Sequence, residues 1–375
     1  MGGLSTLSQS QQWRPTPKSI ATQTENPRNF SVQLNPRPNP SLRKKLKSIS
    51  CFAARPSKSQ PIDKNSTPPL VVVGSANADI YVEIARLPQE GETVSAKTGQ
   101  TLAGGKGANQ AVCGGKLAYP TYFMGQVGED AHGKLIVEAL EGGGVFLDHL
   151  RTVAHAPTGH AVVMLQEDGQ NSIIIVGGAN MSYWPESLPE EYLEVVRNAG
   201  IVLLQREIPD SVNIQVAKAA RSAHVPIILD AGGVDSPVPS ELLSVVDIFS
   251  PNETELARLT KMPTENFEQI KQAVEKCHDM GVNQVLVKLG DKGSALFAKG
   301  EEPVRQPIIK AEKVIDTTGA GDTFTAAFAV ALVEGKSKKE CLAFAAAAAS
   351  LCVQVKGAIP SMPERKRVLN LLKSL

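Results

Sequence analysis

From residue 201 onward, short apolar runs of strand length alternate with helical patterns, and few folds accept that rhythm. The apolar runs lie at 201–204, 225–229, 246–249 and 285–289, and helix-period patterns cover 211–224, 253–259 and 267–280 between them. Parallel strands joined by helices need both sheet faces covered, so their strands read as continuous apolar runs and not as alternating ones. The expectation is an α/β fold, doubly wound, with a mainly parallel sheet flanked by helices. Residues 320–333 and the alanine-rich 341–350 read as two further helices whose small side chains let backbones approach closely. Upstream the rhythm differs. Residues 70–73 form an apolar run stopped by Gly74, 80–85 and 92–97 read as half-exposed strands around a turn at 88–91, and 160–166 with 172–176 form a hairpin candidate. No internal repeat is visible.

The first 65 residues do not belong to that fold. They hold ten Ser, four Thr and eight Pro, eleven basic side chains and only the acids Glu25 and Asp63. A segment so poor in apolar periodicity cannot offset its chain entropy, and the expectation is disorder. Its Ser-rich, basic, acid-poor composition fits a transit peptide, with Cys51 at the cleavage region and a chloroplast or other plastid stroma as destination. A mitochondrial leader and a cytosolic tail are the alternatives. The chain as a whole has 39 basic and 38 acidic side chains, so the body from residue 66 is net acidic. Such a body lacks the basic footprint of a nucleic-acid binder. No membrane partner is expected, because the longest apolar stretch, 341–353, is too short to span a bilayer. The five cysteines form no C-x-x-C pair, and the six histidines are scattered, which argues against a zinc site.

Three glycine-bearing strings carry chemistry. In the string 316–324 a turn containing Gly319, Ala320 and Gly321 feeds directly into a helix, so unpaired backbone N–H groups point out of the helix start toward an anion. Asp322 stands beside that anion, placed to accept a proton from an attacking hydroxyl, although taken alone it reads first as a plain helix-start cap, and only the match across the whole string reverses that. The string 103–111 contains Gly105, Lys106, Gly107, Ala108 and Asn109. Lys106 precedes a glycine where a P-loop needs Ser or Thr, and the spacing is not G-x-G-x-x-G. It offers backbone donors, Lys106 and Asn109 at a helix start, suited to a polyol or a phosphate. In the string 74–79, Asn77 and Asp79 flank Ala78 and share one side of an extended chain, where they can clasp vicinal hydroxyls; an Asx-turn is the alternative.

In their order along the chain, 74–79, 103–111 and 316–324, the strings resemble the ribokinase family of carbohydrate kinases, the PfkB group, over residues 70–365. Gln205-x-Glu207, the run 251–255 and Lys288-Leu289-Gly290-x-x-Gly293 add to the resemblance. It implies a doubly wound domain over 66–375 with a small β-sheet lid from about 80–100 and 158–177, often paired with a second lid in a homodimer. It implies ATP-dependent phosphorylation of D-ribose at O5, with Asp322 as catalytic base and Gly319, Ala320 and Gly321 as anion hole. Asn77, Ala78, Asp79, Gly105, Lys106, Gly107, Ala108, Asn109, Glu207 and Asp322 fall on substrate-binding positions. Asn252, Lys288, Leu289, Gly290, Asp291, Lys292, Gly293, Gly321 and Asp322 fall on ATP-contacting ones. Mg²⁺ falls to Asn252 and Glu255, partly through water. K⁺ as activating monovalent cation falls to Asp316, Thr318, Cys352, Val355, Gly357 and Ser361. The sequence departs from many bacterial members at Lys288, where they carry Thr.

A kinase for deoxyribose, another pentose or a nucleoside is the alternative within the class. A nucleoside would need an aromatic or apolar slot, and the sugar strings supply no aromatic. A catalytically silent member acting as an organelle scaffold is the alternative outside it, but that reading predicts decay at 319–322 or at Lys106, and both are intact.

Overall fold

A computed structural model describes residues 67–166, 171–233 and 236–375. The transit-peptide expectation for residues 1–65 lies outside the described residues. The chain begins with β1 (Leu70–Val73), β2 (Asn77–Ile84), β3 (Thr98–Gly104), α1 (Lys106–Lys116), β4 (Thr121–Gly128) and α2 (Ala131–Gly142). Next come β5 (Leu150–Val153), the hairpin of β6 (Gly159–Gln166) and β7 (Asn171–Val176), and α3 (Glu190–Arg197). Then strands and helices alternate: β8 (Ile201–Arg206), α4 (Asp210–Ser222), β9 (Ile227–Gly233), α5 (Ser240–Leu243), β10 (Ile248–Ser250), α6 (Glu253–Thr260), α7 (Phe267–Asp279) and β11 (Gln284–Lys288). An antiparallel extension, β12 (Ser294–Ala298) and β13 (Val304–Gln306), is followed by α8 (Ala320–Val333), α9 (Lys338–Cys352), α10 (Ala358–Ser361) and α11 (Arg365–Lys373).

The large sheet has nine strands in the order β13-β12-β11-β10-β9-β8-β1-β4-β5, parallel from β11 to β5. Along β1, Leu70 and Val72 enter one apolar core and Val71 and Val73 the other, so a single strand serves both faces. One core is lined by α1, α2, α8 and α9, and the other by α3, α4 and α7. Helix α8 packs on α1 and α9 with all of 322–331 buried, the alanines at 326, 327, 329 and 331 allowing close approach between the larger Phe324, Phe328 and Val330. Among the described residues no helix is long and apolar enough to cross a membrane.

The second sheet, β3-β2-β6-β7, is built from the early strands and the hairpin. The returning strand runs from Thr98 to Gly104, whereas the sequence pointed to 92–97. Residues 92–96 have no regular structure and follow a turn at 90–91 that Glu92 closes: Arg86 pairs with Glu92, and the Gln89 N–H donates to the Glu92 carboxylate at 2.9 Å. Pairing with β2 resumes at Lys97, whose N–H reaches the Glu83 carbonyl at 2.7 Å.

Ends of parallel strands gather functional residues in doubly wound folds. Here the carboxyl ends of β1, β8, β9, β10 and β11 deliver Ser75 and Asn77, Glu207, Asp230, Asn252 and Lys288 to one edge. Arg206 secures that edge from beneath. It is buried, pairs with Asp210 at 2.7 Å and donates to the Ser236 carbonyl at 2.7 Å.

Candidate active site

A cleft of about 460 Å³ opens at this edge, with Lys106, Asp322, Asn252, Glu255, Lys288 and Gly321 on its walls. Its floor is the start of α8. Gly319 caps that helix at φ +77°, a left-handed backbone that glycine adopts without strain, and a Cβ there would stand 3.0 Å from Ala358. No side chain caps the helix, and among the described residues the Gly321 N–H has no partner. The helix therefore presents bare donors and the positive end of its dipole to the cleft.

Asp322, one turn in, is buried. Its carboxylate accepts from Asn109 Nδ2 at 2.8 Å and from Gln110 Nε2 at 3.4 Å, and Gln110 is fixed in turn by Gln205 at 2.7 Å. Burial pushes the Asp322 carboxyl above the usual aspartate range, Asp230 and Glu207 add to the rise, and Lys106 opposes it. A buried carboxylate raised in this way is a stronger base than one in water. The Lys106 ammonium stands among Asp322, Asp230, Glu207 and Glu255, and their charges, Asp322 foremost, outweigh burial and hold it protonated.

Beside Asp322 lies a polar cradle. Asp79 on β2 is pushed up to about 7, by burial first and then by Glu207 and Asp322. Glu207 accepts from the Ser75 hydroxyl at 2.5 Å and from the Lys106 N–H at 3.2 Å. Asn109 keeps its Oδ1 buried and without a partner among the described residues, an acceptor aimed at nothing in the protein. Gly105, at φ +88°, brings the two glycine-bearing strings together, since a Cβ there would stand 2.7 Å from the Asn77 nitrogen.

The backbone of 106–109 behaves otherwise than the sequence suggested. Its N–H groups are taken: Lys106 by Glu207, Gly107 by the Ser75 hydroxyl at 3.4 Å, Ala108 by the Ser75 carbonyl at 2.9 Å and Asn109 by the Gly105 carbonyl at 2.9 Å. The string thus offers side chains, Lys106 and Asn109, and few backbone donors. Ala78 and Ala108 are fully buried and shape the wall through their backbone.

Two residues that sequence reasoning missed complete the cradle. Asn180, 1% exposed, donates through Nδ2 to Asn77 Oδ1 at 2.7 Å and to the Ala76 carbonyl at 3.0 Å, while its Oδ1 accepts from the Ala76 N–H at 2.9 Å. Asp230, 2% exposed, accepts from Lys288 Nζ at 2.7 Å and from the Thr325 hydroxyl at 2.9 Å. No motif flags either residue; only their positions, after a strand-length run and before Gly-Gly for Asp230, hint at them.

Asn252 and Glu255 form a reciprocal capping box on α6, each accepting the other's N–H at 2.8 Å. Glu255 still faces Lys106 with its second oxygen, close to Gly232. Among the described residues, no group of three His, Cys, Asp or Glu is placed to chelate a metal. Leu289, Gly290, Asp291, Lys292 and Gly293 form the turn after β11, with Gly290 on the cleft and Lys292 drawn outward to Glu253 at 2.9 Å. Behind the anion-hole turn, Asp316 accepts from the Thr318 N–H at 2.9 Å and from the Gly357 N–H at 2.8 Å, which joins the turn to 352–361. Burial acts to raise Asp316, but these bonds and Lys356 hold it below the usual range. Cys352 Sγ and Ser361 Oγ meet at 3.0 Å in the same place, and Val355 donates its N–H to the Cys352 carbonyl at 3.1 Å.

The profile of the pfkB family of carbohydrate kinases matches residues 68–365. A ribokinase of Arabidopsis thaliana is 68% identical over all of this chain and 99% of its own length, and that of Bacillus subtilis is 37% identical over 81% of this chain and 99% of its own. The solved structure of Arabidopsis thaliana ribokinase complexed with ribose and ATP is 76% identical, with a TM-score of 0.80, over 82% of this chain and 99% of that one. Ribokinase from Thermotoga maritima superposes with a TM-score of 0.73 at 36% identity, over 82% of this chain and 99% of that one.

Proposed function

The chain belongs to the pfkB family of carbohydrate kinases, and from that premise we propose that it transfers the γ-phosphoryl group of ATP to O5 of D-ribose, giving ADP and D-ribose 5-phosphate. One observation carries the reading. The buried Asp322 carboxylate stands at the junction of a cradle of hydroxyl-binding side chains and a helix start with bare donors. Asn77, Asp79, Asn109 and Glu207 are the acceptors and donors a polyol needs, and the unpaired Asn109 Oδ1 awaits a hydroxyl. The relative solved with ribose and ATP supports the same pair of substrates.

Asp322 accepts the O5 proton as the O5–P bond forms; the bond from that phosphorus to the β–γ bridging oxygen breaks, and its electrons leave with ADP. Charge on the transferring group is met by the N–H groups of Gly319 and Gly321 and by Lys106, whereas the Ala320 N–H, expected to join them, is held by the Thr317 carbonyl at 3.2 Å. Mg²⁺ would supply positive charge to the phosphates. Asn252 and Glu255, committed to each other as a helix cap, suit holding it through water more than direct ligation. A monovalent cation, K⁺, would be held behind the anion hole by oxygens of Asp316, Thr318, Cys352, Val355, Gly357 and Ser361, a reading supported by the bonds through which Asp316 joins the turn to 352–361. The small sheet would close as a lid: Leu102 abuts Gly357, and Glu83 pairs with Lys356 at 3.4 Å. Its edge strand β7 leaves Ile173, Ile174, Ile175 and Val176 exposed, which supports a homodimer through that edge. Sedimentation of the chain and of Ile174→Lys tests this: a monomeric parent would refute it. The composition of residues 1–65 supports plastid import, which an in vitro import assay checks by a shortened stromal product.

Activity is tested on residues 55–375 with ribose, deoxyribose, fructose and adenosine, each with Mg²⁺ and either K⁺ or Na⁺. Ribose is expected to lead by at least about tenfold in kcat/KM, or about 1.4 kcal/mol, and to gain from K⁺. Preference for another sugar would sink the ribose assignment.

A pH dependence follows from Asp79. Only its ionised form accepts from two sugar hydroxyls, and its carboxyl is raised to about 7, so the binding form is lost as pH falls through 7. Between pH 8 and pH 6, kcat/KM for ribose is expected to fall about tenfold through this group, with a smaller change in kcat. Asp79→Asn should flatten that limb; an unchanged limb in the variant would assign it elsewhere.

A further inference from the structure

The Asp230–Lys288 pair has no part in the mechanism above, yet it lies against the phosphate-binding turn. Lys288 ends β11, and its Nζ stands 4.0 Å from the point where a Cβ on Gly321 would sit, over the start of α8. Asp230 holds that ammonium at 2.7 Å and also accepts from Thr325 at 2.9 Å and from the Gly232 N–H at 3.0 Å. Thr325 follows Asp322 by three residues on α8, so one buried carboxylate links the Lys288 ammonium to the helix that carries the base. Both side chains line the cleft, but Lys288 is 13% exposed and Asp230 only 2%, so the cation is the more accessible of the two to an incoming ligand.

On the reading of the site as an ATP-dependent kinase, we propose that Lys288 is a second phosphate-facing cation beside Lys106, and that Asp230 is its positioning residue. Asp230 holds the Lys288 ammonium over the anion hole before nucleotide arrives, and the ammonium then shares its protons between Asp230 and the phosphoryl oxygens during transfer. A cation held in place in this way needs no reorganisation as charge develops. The competing explanation is that Lys288 only neutralises a buried carboxylate.

The two separate in a double variant. Lys288→Met should lower kcat/KM for MgATP by about 30-fold, with the larger share in kcat, and leave the calorimetric Kd for ribose within about two-fold. Asp230→Asn, which keeps shape and loses the anchoring charge, should lower kcat/KM for MgATP by about three- to tenfold. The double variant Asp230→Asn/Lys288→Met carries no unpaired charge and therefore folds if either single does. It should remain as impaired as Lys288→Met. Recovery of the double variant to within about three-fold of the parent would show a neutralising pair only and overturn the proposal. A parent enzyme that does not turn over ribose with ATP would instead overturn the kinase reading, before any variant is compared.

Discussion

Asp322→Asn lowers kcat by about 10³-fold and leaves the Kd of ribose and of MgATP within about three-fold. The amide occupies the same volume and can keep a bond to Asn109, whose own amide can turn because its Oδ1 has no other partner. The substrates therefore still bind, but no group within reach takes the O5 proton. Stability should move the other way. The parent carboxylate is buried and raised by burial, with Asp230 and Glu207 adding to the strain, so an uncharged isostere relieves repulsion. A higher Tm with a lost kcat is the combined result expected from steady-state kinetics and thermal melting. If kcat stayed within tenfold of the parent, Asp322 would not be the base, and Glu207 or Asp79 would be the next carboxylates to replace.

The residues that made this site legible in the sequence are those whose signal is local. A glycine turn followed at once by a helix is written in consecutive residues, and Gly319 to Asp322 adopt the expected geometry. The parallel strands from β8 to β11 were equally visible, because burial on both faces makes them apolar throughout. Strand β4 has no such local signal. It carries Gly125, Gln126 and Gly128 within eight residues, and it is a strand because β1 and β5 pair with it, which no local pattern shows. The same limit explains Asp230 and Asn180. Each is an isolated polar residue whose partners lie far along the chain: Lys288 and Thr325 for the one, Asn77 and the Ala76 backbone for the other. It also explains why the donors of 106–109 looked free. Ser75 and Glu207, which use three of them, reach α1 only through the tertiary fold.

Lys106→Met is the second large effect, and its signature differs from that of Asp322→Asn. The side chain starts α1 and ends beside Gly232, so its charge balances Asp322, Asp230, Glu207 and Glu255 together. Removing it takes a cation from the transferring phosphoryl group and leaves those carboxylates facing the incoming ATP. A drop of about 10²–10³ in kcat/KM for MgATP at pH 7.5 is expected. A second change follows by sign. Lys106 is the charge that lowers the Asp322 carboxyl against burial, so its loss raises that group further and moves the acidic limb of kcat toward higher pH. Part of the deficit measured at pH 7 should therefore return at pH 9, where the base is ionised again, whereas Asp322→Asn gains nothing from alkali. Arginine is a poor substitute, because the ammonium sits close against the Gly232 backbone and the planar, bulkier guanidinium does not fit that space. Pre-steady-state and steady-state rates of Lys106→Met across pH 6–9 separate the possibilities. A rise in ribose KM alone, with kcat and its pH limb unchanged, would make Lys106 a sugar ligand and remove it from the transition state.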